Sequence, residues 1–122
     1  MVKILSDPQI SQFHKNGFLP AFPVLSVDQA VQLRANLESF EAEKDGALKG
    51  SLRFKNHLLF KWLSDLIRSP NILDSVEEII GPDIMVWSTD WWIKEANSPQ
   101  FVSWHQDSQY WGLDTDKLIT VW

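Results

Sequence analysis

The residue types best suited to chemistry are His105 and Asp107, separated only by Gln106. In an extended chain, residues i and i+2 project from one face, so an imidazole and a carboxylate can meet at one point. That pair supplies two of the three protein ligands of a 2-His-1-carboxylate site. Such a site covers one face of an octahedron around Fe(II) and leaves the other positions open. The same two side chains have a plainer reading, a surface histidine hydrogen-bonded to a neighbouring carboxylate, and a bare His-x-Asp does not separate the two. Zinc held by the pair for hydrolysis is a third use, for which nothing in the sequence supplies the further ligands. The other histidines, His14 in the first helical segment and His57 ahead of a helical hairpin, read as structural or surface residues.

Aromatic residues crowd the same half of the chain. Of seven Trp, only Trp62 precedes Gly81-Pro82, and Trp87, Trp91, Trp92, Trp104, Trp111 and Trp122 follow it. Large aromatics bury much area, so they serve either as core filling or as the walls of a pocket.

The elements that must position these residues divide the chain in two. Ser6-Asp7-Pro8 is a helix start, Ile10, Phe13 and His14 recur at helical spacing, and Gly17 is a stop. Phe18 to Leu25 is apolar but broken by Pro20 and Pro23, an edge strand at best. Ser26 and Gln29 form a capping box, and Val27, Ala30, Leu33, Leu37 and Phe40 line one face, which predicts a helix from Val27 to about Lys44. Lys44 to Ser51 is a loop. Leu59, Trp62, Leu63 and Leu66 fit a short helix, and Ser69-Pro70 opens another that carries Ile72, Leu73, Val76, Ile79 and Ile80 up to Gly81-Pro82.

From Asp83 the period changes to two, with Ile84, Val86, Ser88, Asp90, Trp92 and Lys94 on one face and Met85, Trp87, Thr89, Trp91 and Ile93 on the other. Further strands are predicted from Gln100 to Asp107 and from Lys117 to Trp122. The expected fold is therefore α+β, with residues 1–82 mainly helical and residues 83–122 forming the first strands of a sheet. A chain that is apolar to its last residue is also expected to be the N-terminal portion of a single domain.

Composition excludes several classes. With 122 residues, 44% hydrophobic and 22% charged, the chain is an ordinary globular sequence of one domain at most. Its net charge of −5 disfavours a nucleic-acid surface. No apolar run approaches the roughly 20 residues of a membrane span. Ser6-Asp7-Pro8 breaks the N-terminal stretch too early for a signal peptide. The absence of cysteine removes thiol catalysis and Cys-ligated metals and fits a cytoplasmic protein.

The flanks of the His-x-Asp pair add a resemblance. Phe101-Val102-Ser103-Trp104-His105-Gln106-Asp107, followed by Tyr110-Trp111, resembles the phytanoyl-CoA dioxygenase family of Fe(II)/2-oxoglutarate-dependent oxygenases. Asn16-Gly17-Phe18 with the capped helix after it, Gly81-Pro82-Asp83-Ile84 and Lys117 to Trp122 are similar too. The resemblance implies a double-stranded β-helix (a cupin-like jelly roll) of which this chain holds the opening strands. It implies Fe(II) as cofactor and 2-oxoglutarate as cosubstrate, with His105 and Asp107 as iron ligands. Trp122, Lys55 and Asp90 fall at positions that contact the cosubstrate in relatives, although Asp90 differs in type. Trp111, taken together with Trp104, falls where an aromatic meets the substrate.

The implied activity is hydroxylation of a small organic substrate. An aspartate at 107, where related halogenases carry a small residue, favours that over halogenation. The family's distal histidine and its carboxylate-pairing arginine have no counterpart here, so the chain alone is expected to be inactive. Self-association through its unfinished sheet is also expected. From another class comes a non-catalytic module that binds a carbohydrate or small ligand on Trp104, Tyr110 and Trp111.

Overall fold

The computed structural model describes residues 3–44 and 46–122. Met1 and Val2, at the head of the stretch read as lacking a signal peptide, and Asp45 of the predicted loop lie outside them. Five α-helices are described: α1 (Asp7–Asn16), α2 (Val27–Glu43), α3 (Lys61–Leu66), α4 (Pro70–Ile80) and the single turn α5 (Ser108–Trp111). Short 3-10 turns at Gly50–Arg53 and Asn56–Leu58 connect α2 to α3.

Local signals account for the helix ends. The Ser6 N–H donates to Gln9 Oε1 at 2.9 Å, and α1 stops at Gly17, whose φ of 77° lets its N–H reach the Phe13 carbonyl at 2.7 Å. The predicted capping box on α2 is present: Ser26 N–H meets Gln29 Oε1 at 2.8 Å and Gln29 N–H meets Ser26 Oγ at 3.1 Å. The apolar face of α2 is covered only in part. Leu33, Leu37 and Phe40 are half-buried, whereas Val27 is exposed.

The core is small and draws on the segment before α1, the loop after α2, the Asn56–Leu58 turn and α3. Leu5, Leu48 and Leu63 are buried, as are Asn56 and His57. An aromatic series runs through it, with ring centroids 4.6 Å apart for Phe40–Phe60, 5.7 Å for Phe60–Trp62 and 6.3 Å for Trp62–Trp91. The N-terminal segment is held by one carboxylate: the N–H groups of Ile4 and Leu5 each donate to a Glu78 oxygen on α4 at 2.7 Å.

The α+β expectation is overturned. Among the described residues there is no strand and no sheet, so the opening of a double-stranded β-helix is not formed. The pairing of residues 83–122 reduces to one antiparallel bridge between Phe54 and Asp90. Two backbone bonds flank it, Lys55 N–H to Thr89 O at 2.8 Å and Trp91 N–H to Arg53 O at 2.9 Å. The bridge cannot lengthen because Phe54 lies between two 3-10 turns that carry the chain away on both sides. The segments Gln100 to Asp107 and Lys117 to Trp122 are non-helical before α5 and at the C-terminal end but exchange no ladder bonds with each other. Alternation along one segment fixes which side chains share a face; it does not supply a second segment to pair with. Phe18 to Leu25 likewise forms no strand.

Candidate metal centre

His105 and Asp107 meet without a strand. A bend at Trp104 and the helical backbone of Asp107 (φ −60°, ψ −33°), which precedes α5, turn the two side chains together. His105 Nε2 lies 3.0 Å from Asp107 Oδ1, and His105 Nδ1 lies 2.7 Å from the Ser103 carbonyl oxygen. The two side chains are 30% and 24% exposed, open enough to admit a ligand from solvent.

A carbonyl and a carboxylate only accept, so each ring nitrogen faces an acceptor and the imidazolium form is favoured. The Ser103 carbonyl is the largest cause that raises the His105 pKa above 6.5; desolvation opposes it, and the hydrogen bond and charge of Asp107 add to the rise. The Ser103 contact also fixes the role of each nitrogen. With Nδ1–H committed to the backbone, Nε2 is the nitrogen left to bind a metal, the arrangement usual for ligating histidines.

The spacing suits such a use. Two cis ligands with bonds of about 2.1 Å sit about 3.0 Å apart on the edge of an octahedron. A divalent ion in place of the Nε2 proton would therefore need little movement of either group. One imidazole and one carboxylate are two of the three protein donors of a 2-His-1-carboxylate iron site, and the residues fit as one edge of it. Among the described residues no group of three or more His, Cys, Asp or Glu side chains comes together. His14, exposed on α1, meets the edge of Phe13, and His57 is bonded to Thr89.

Two supporting groups escaped the sequence reading. The Thr120 hydroxyl donates to Asp107 Oδ2, and the Ser103 carbonyl holds the ring. Thr120 lies in a stretch whose apolar neighbours signal only burial, while a carbonyl two residues before a histidine carries no sequence signal at all.

The other residues singled out are placed unevenly. Trp111 stacks on Trp87, centroids 6.0 Å apart with the planes 19° from parallel, and the Lys55 ammonium sits 5.7 Å from the centre of the Trp87 ring. Lys55, Trp87 and Trp111 thus form a continuous series that reaches α5 just after Asp107. Lys55 also has left-handed backbone (φ 56°, ψ 30°), an uncommon state for a side chain of this type. Asp90 stands apart, its carboxylate taking the Ser88 hydroxyl at 2.5 Å beside the bridge to Phe54. Trp104 tilts against Phe18 with centroids 6.2 Å apart yet remains almost wholly exposed, and so does Trp122. Near Phe18, a side chain added at Gly17 would meet Gln106 Nε2 at 3.7 Å, so the end of α1 lies against the motif.

His57 performs a different task nearby. Its buried ring places Nδ1 2.9 Å from Thr89 Oγ1, and its N–H donates to the same oxygen at 3.2 Å, pinning the Asn56–Leu58 turn to the segment that carries Trp87. Burial, then the Arg68 and Lys55 charges, lower its pKa below 6.5. A histidine with a depressed folded pKa takes up its proton more readily when unfolded, so its contribution is intact above about pH 6.5 and lost as pH falls through the folded value. His105, raised, has the opposite sign: its contribution is full below 6.5 and lost as pH rises through its folded value. The urea midpoint of His57→Gln, which keeps a polar partner for Thr89, is therefore expected to fall less between about pH 7.5 and pH 5.5 (about one unit either side of the ordinary value) than that of the parent. Equal falls would remove His57 as the source.

A family model described as Phytanoyl-CoA dioxygenase (PhyH) matches residues 13–122. No curated protein and no solved structure gives a significant match.

Proposed function

The chain belongs to the phytanoyl-CoA dioxygenase family, whose members are in general Fe(II)- and 2-oxoglutarate-dependent oxygenases, and from that premise we propose that His105 and Asp107 are two iron ligands of a hydroxylase acting on a small organic substrate. The observation that carries the reading is the 3.0 Å approach of Nε2 to Oδ1 with Nδ1 already committed to Ser103. When bound, the iron would supply the redox capacity to activate dioxygen, which no side chain of this chain has.

The protein's own residues then bind, orient and shield. The Lys55 ammonium would pair with a carboxylate of 2-oxoglutarate, a reading supported by its left-handed backbone, a cost of the kind retained at binding sites. Trp87 and Trp111, stacked on one another, would form an apolar wall beside it. Trp104 and Trp111 would meet the substrate, and Trp122 and Asp90 the cosubstrate, Asp90 being held by the Ser88 hydroxyl. No residue of this chain is assigned as a third protein ligand or as a carboxylate-pairing arginine, so the chain alone is inactive in this reading. No helix among the described residues is long and apolar enough to cross a membrane.

Trp fluorescence tests the proposal. Fe(II) added without oxygen is expected to quench the emission of Trp104 and Trp111, which flank the pair, and sugars are expected to leave it unchanged. A response to sugars with none to Fe(II) would replace the reading by a binding module built on the exposed faces of Trp104 and Tyr110.

A further inference from the structure

Resting on the iron-edge reading, we infer that Thr120 is a positioning residue for Asp107: its hydroxyl sets the rotation of the carboxylate that faces His105. Asp107 precedes α5 as its N-cap, and the ordinary behaviour of an N-cap aspartate is to accept N–H groups from the first turn of its own helix. Here the side chain makes no such bond. The Gln109 N–H goes to the Gln106 carbonyl at 3.1 Å and the Tyr110 N–H to the Asp107 carbonyl at 3.0 Å. The carboxylate is turned outward, Oδ2 taking the Thr120 hydroxyl and Oδ1 facing His105 Nε2.

Two alternatives therefore compete for one side chain. In one it caps α5; in the other it completes the pair. A carboxylate has a single torsion beyond its β-carbon, so holding Oδ2 at Thr120 fixes where the lone pairs of Oδ1 point. Thr120 comes from 13 residues downstream, in the Lys117 to Trp122 stretch, which the Leu118 N–H to Asp116 carbonyl bond at 2.9 Å helps to turn. The C-terminal stretch thus acts on the metal edge through one hydroxyl. An outer contact of this kind typically changes metal affinity by about 10- to 100-fold.

Thr120→Val removes the hydroxyl at nearly constant volume, and Thr120→Ser retains it. Binding of Mn(II) to the full chain, followed by broadening of the His105 ring signals, is expected to weaken about 10- to 100-fold in Thr120→Val and to be restored in Thr120→Ser. Without metal, the Gln109 and Tyr110 amide signals are expected to shift in Thr120→Val as the carboxylate turns to cap α5, while the rest of the spectrum stays in place. Parent-like affinity in Thr120→Val, or equal loss in both variants, overturns the role of the hydroxyl. Parent-like Mn(II) broadening of the Gln109 and Tyr110 amide signals in His105→Ala would instead show that the iron-edge reading has failed, and the inference with it.

Discussion

Replacing His105 by alanine is expected to weaken binding of Fe(II), or of Co(II) used as a spectroscopic stand-in, by at least about 100-fold, more than loss of an outer contact would. The size follows from the donor count. His105 Nε2 and Asp107 Oδ1 are the two protein donors brought together at 3.0 Å, so the variant leaves one carboxylate, which binds a divalent ion no better than other surface carboxylates of a chain with sixteen Asp and Glu. The fold should survive, because His105 is exposed and touches Ser103, Asp107 and the edge of Tyr110 rather than the Leu5, Leu48 and Leu63 core. Calorimetric titration checks the affinity, and circular dichroism checks that the helices remain. Unchanged affinity would leave the pair as a surface ion contact and end the iron-edge reading.

Asp107→Asn refines the same experiment. It preserves shape and the Thr120 contact, with the amide oxygen or nitrogen facing the hydroxyl, but removes the charge that makes the oxygen a strong ligand. A loss close to that of His105→Ala marks both groups as ligands. Asparagine binding like the parent would mean that the imidazole alone holds the ion.

What could be read from the sequence was what a few adjacent residues decide. Ser26 with Gln29, Gly17 and Ser69-Pro70 act over three or four positions, and each helix end they mark is found within a residue or so. His105 and Asp107 were identifiable for the same reason, being two residues apart. The route by which they meet was not, since a bend and a helical turn do what an extended strand was expected to do. The strands failed because pairing is a property of two segments. Residues 83–94 alternate, yet their one bridge is to Phe54, in a part of the chain with no strand pattern and closed in by two turns. Thr120 was invisible on the same ground: its partner lies 13 residues away and nothing local points to it.

That residues 83–122 pair through a single bridge has a consequence in solution, which is the other large effect expected. Phe101 is 84% exposed, Trp104 93% and Trp122 89%, with Val102, Tyr110 and Val121 also exposed nearby in sequence. Soluble monomers seldom present so many large apolar side chains together, and the backbone between them offers unpaired N–H and C=O groups to another chain. We expect the chain to self-associate in the micromolar range, where exposed apolar surface and unpaired edges usually begin to aggregate. The net charge of −5 opposes this, so added salt should strengthen association by screening the repulsion between copies. Sedimentation velocity over a dilution series, at low and at high salt, checks both statements. The double variant Trp104→Lys with Trp122→Lys should move the distribution toward monomer, since it removes two of the most exposed aromatics while leaving the Leu5, Leu48 and Leu63 core intact. The net charge moves from −5 toward −3, weakening the repulsion, so a shift toward monomer would have to come from the lost apolar contacts. A single monomeric species at every concentration and salt level, melting cooperatively, would mean that these side chains find cover within one chain.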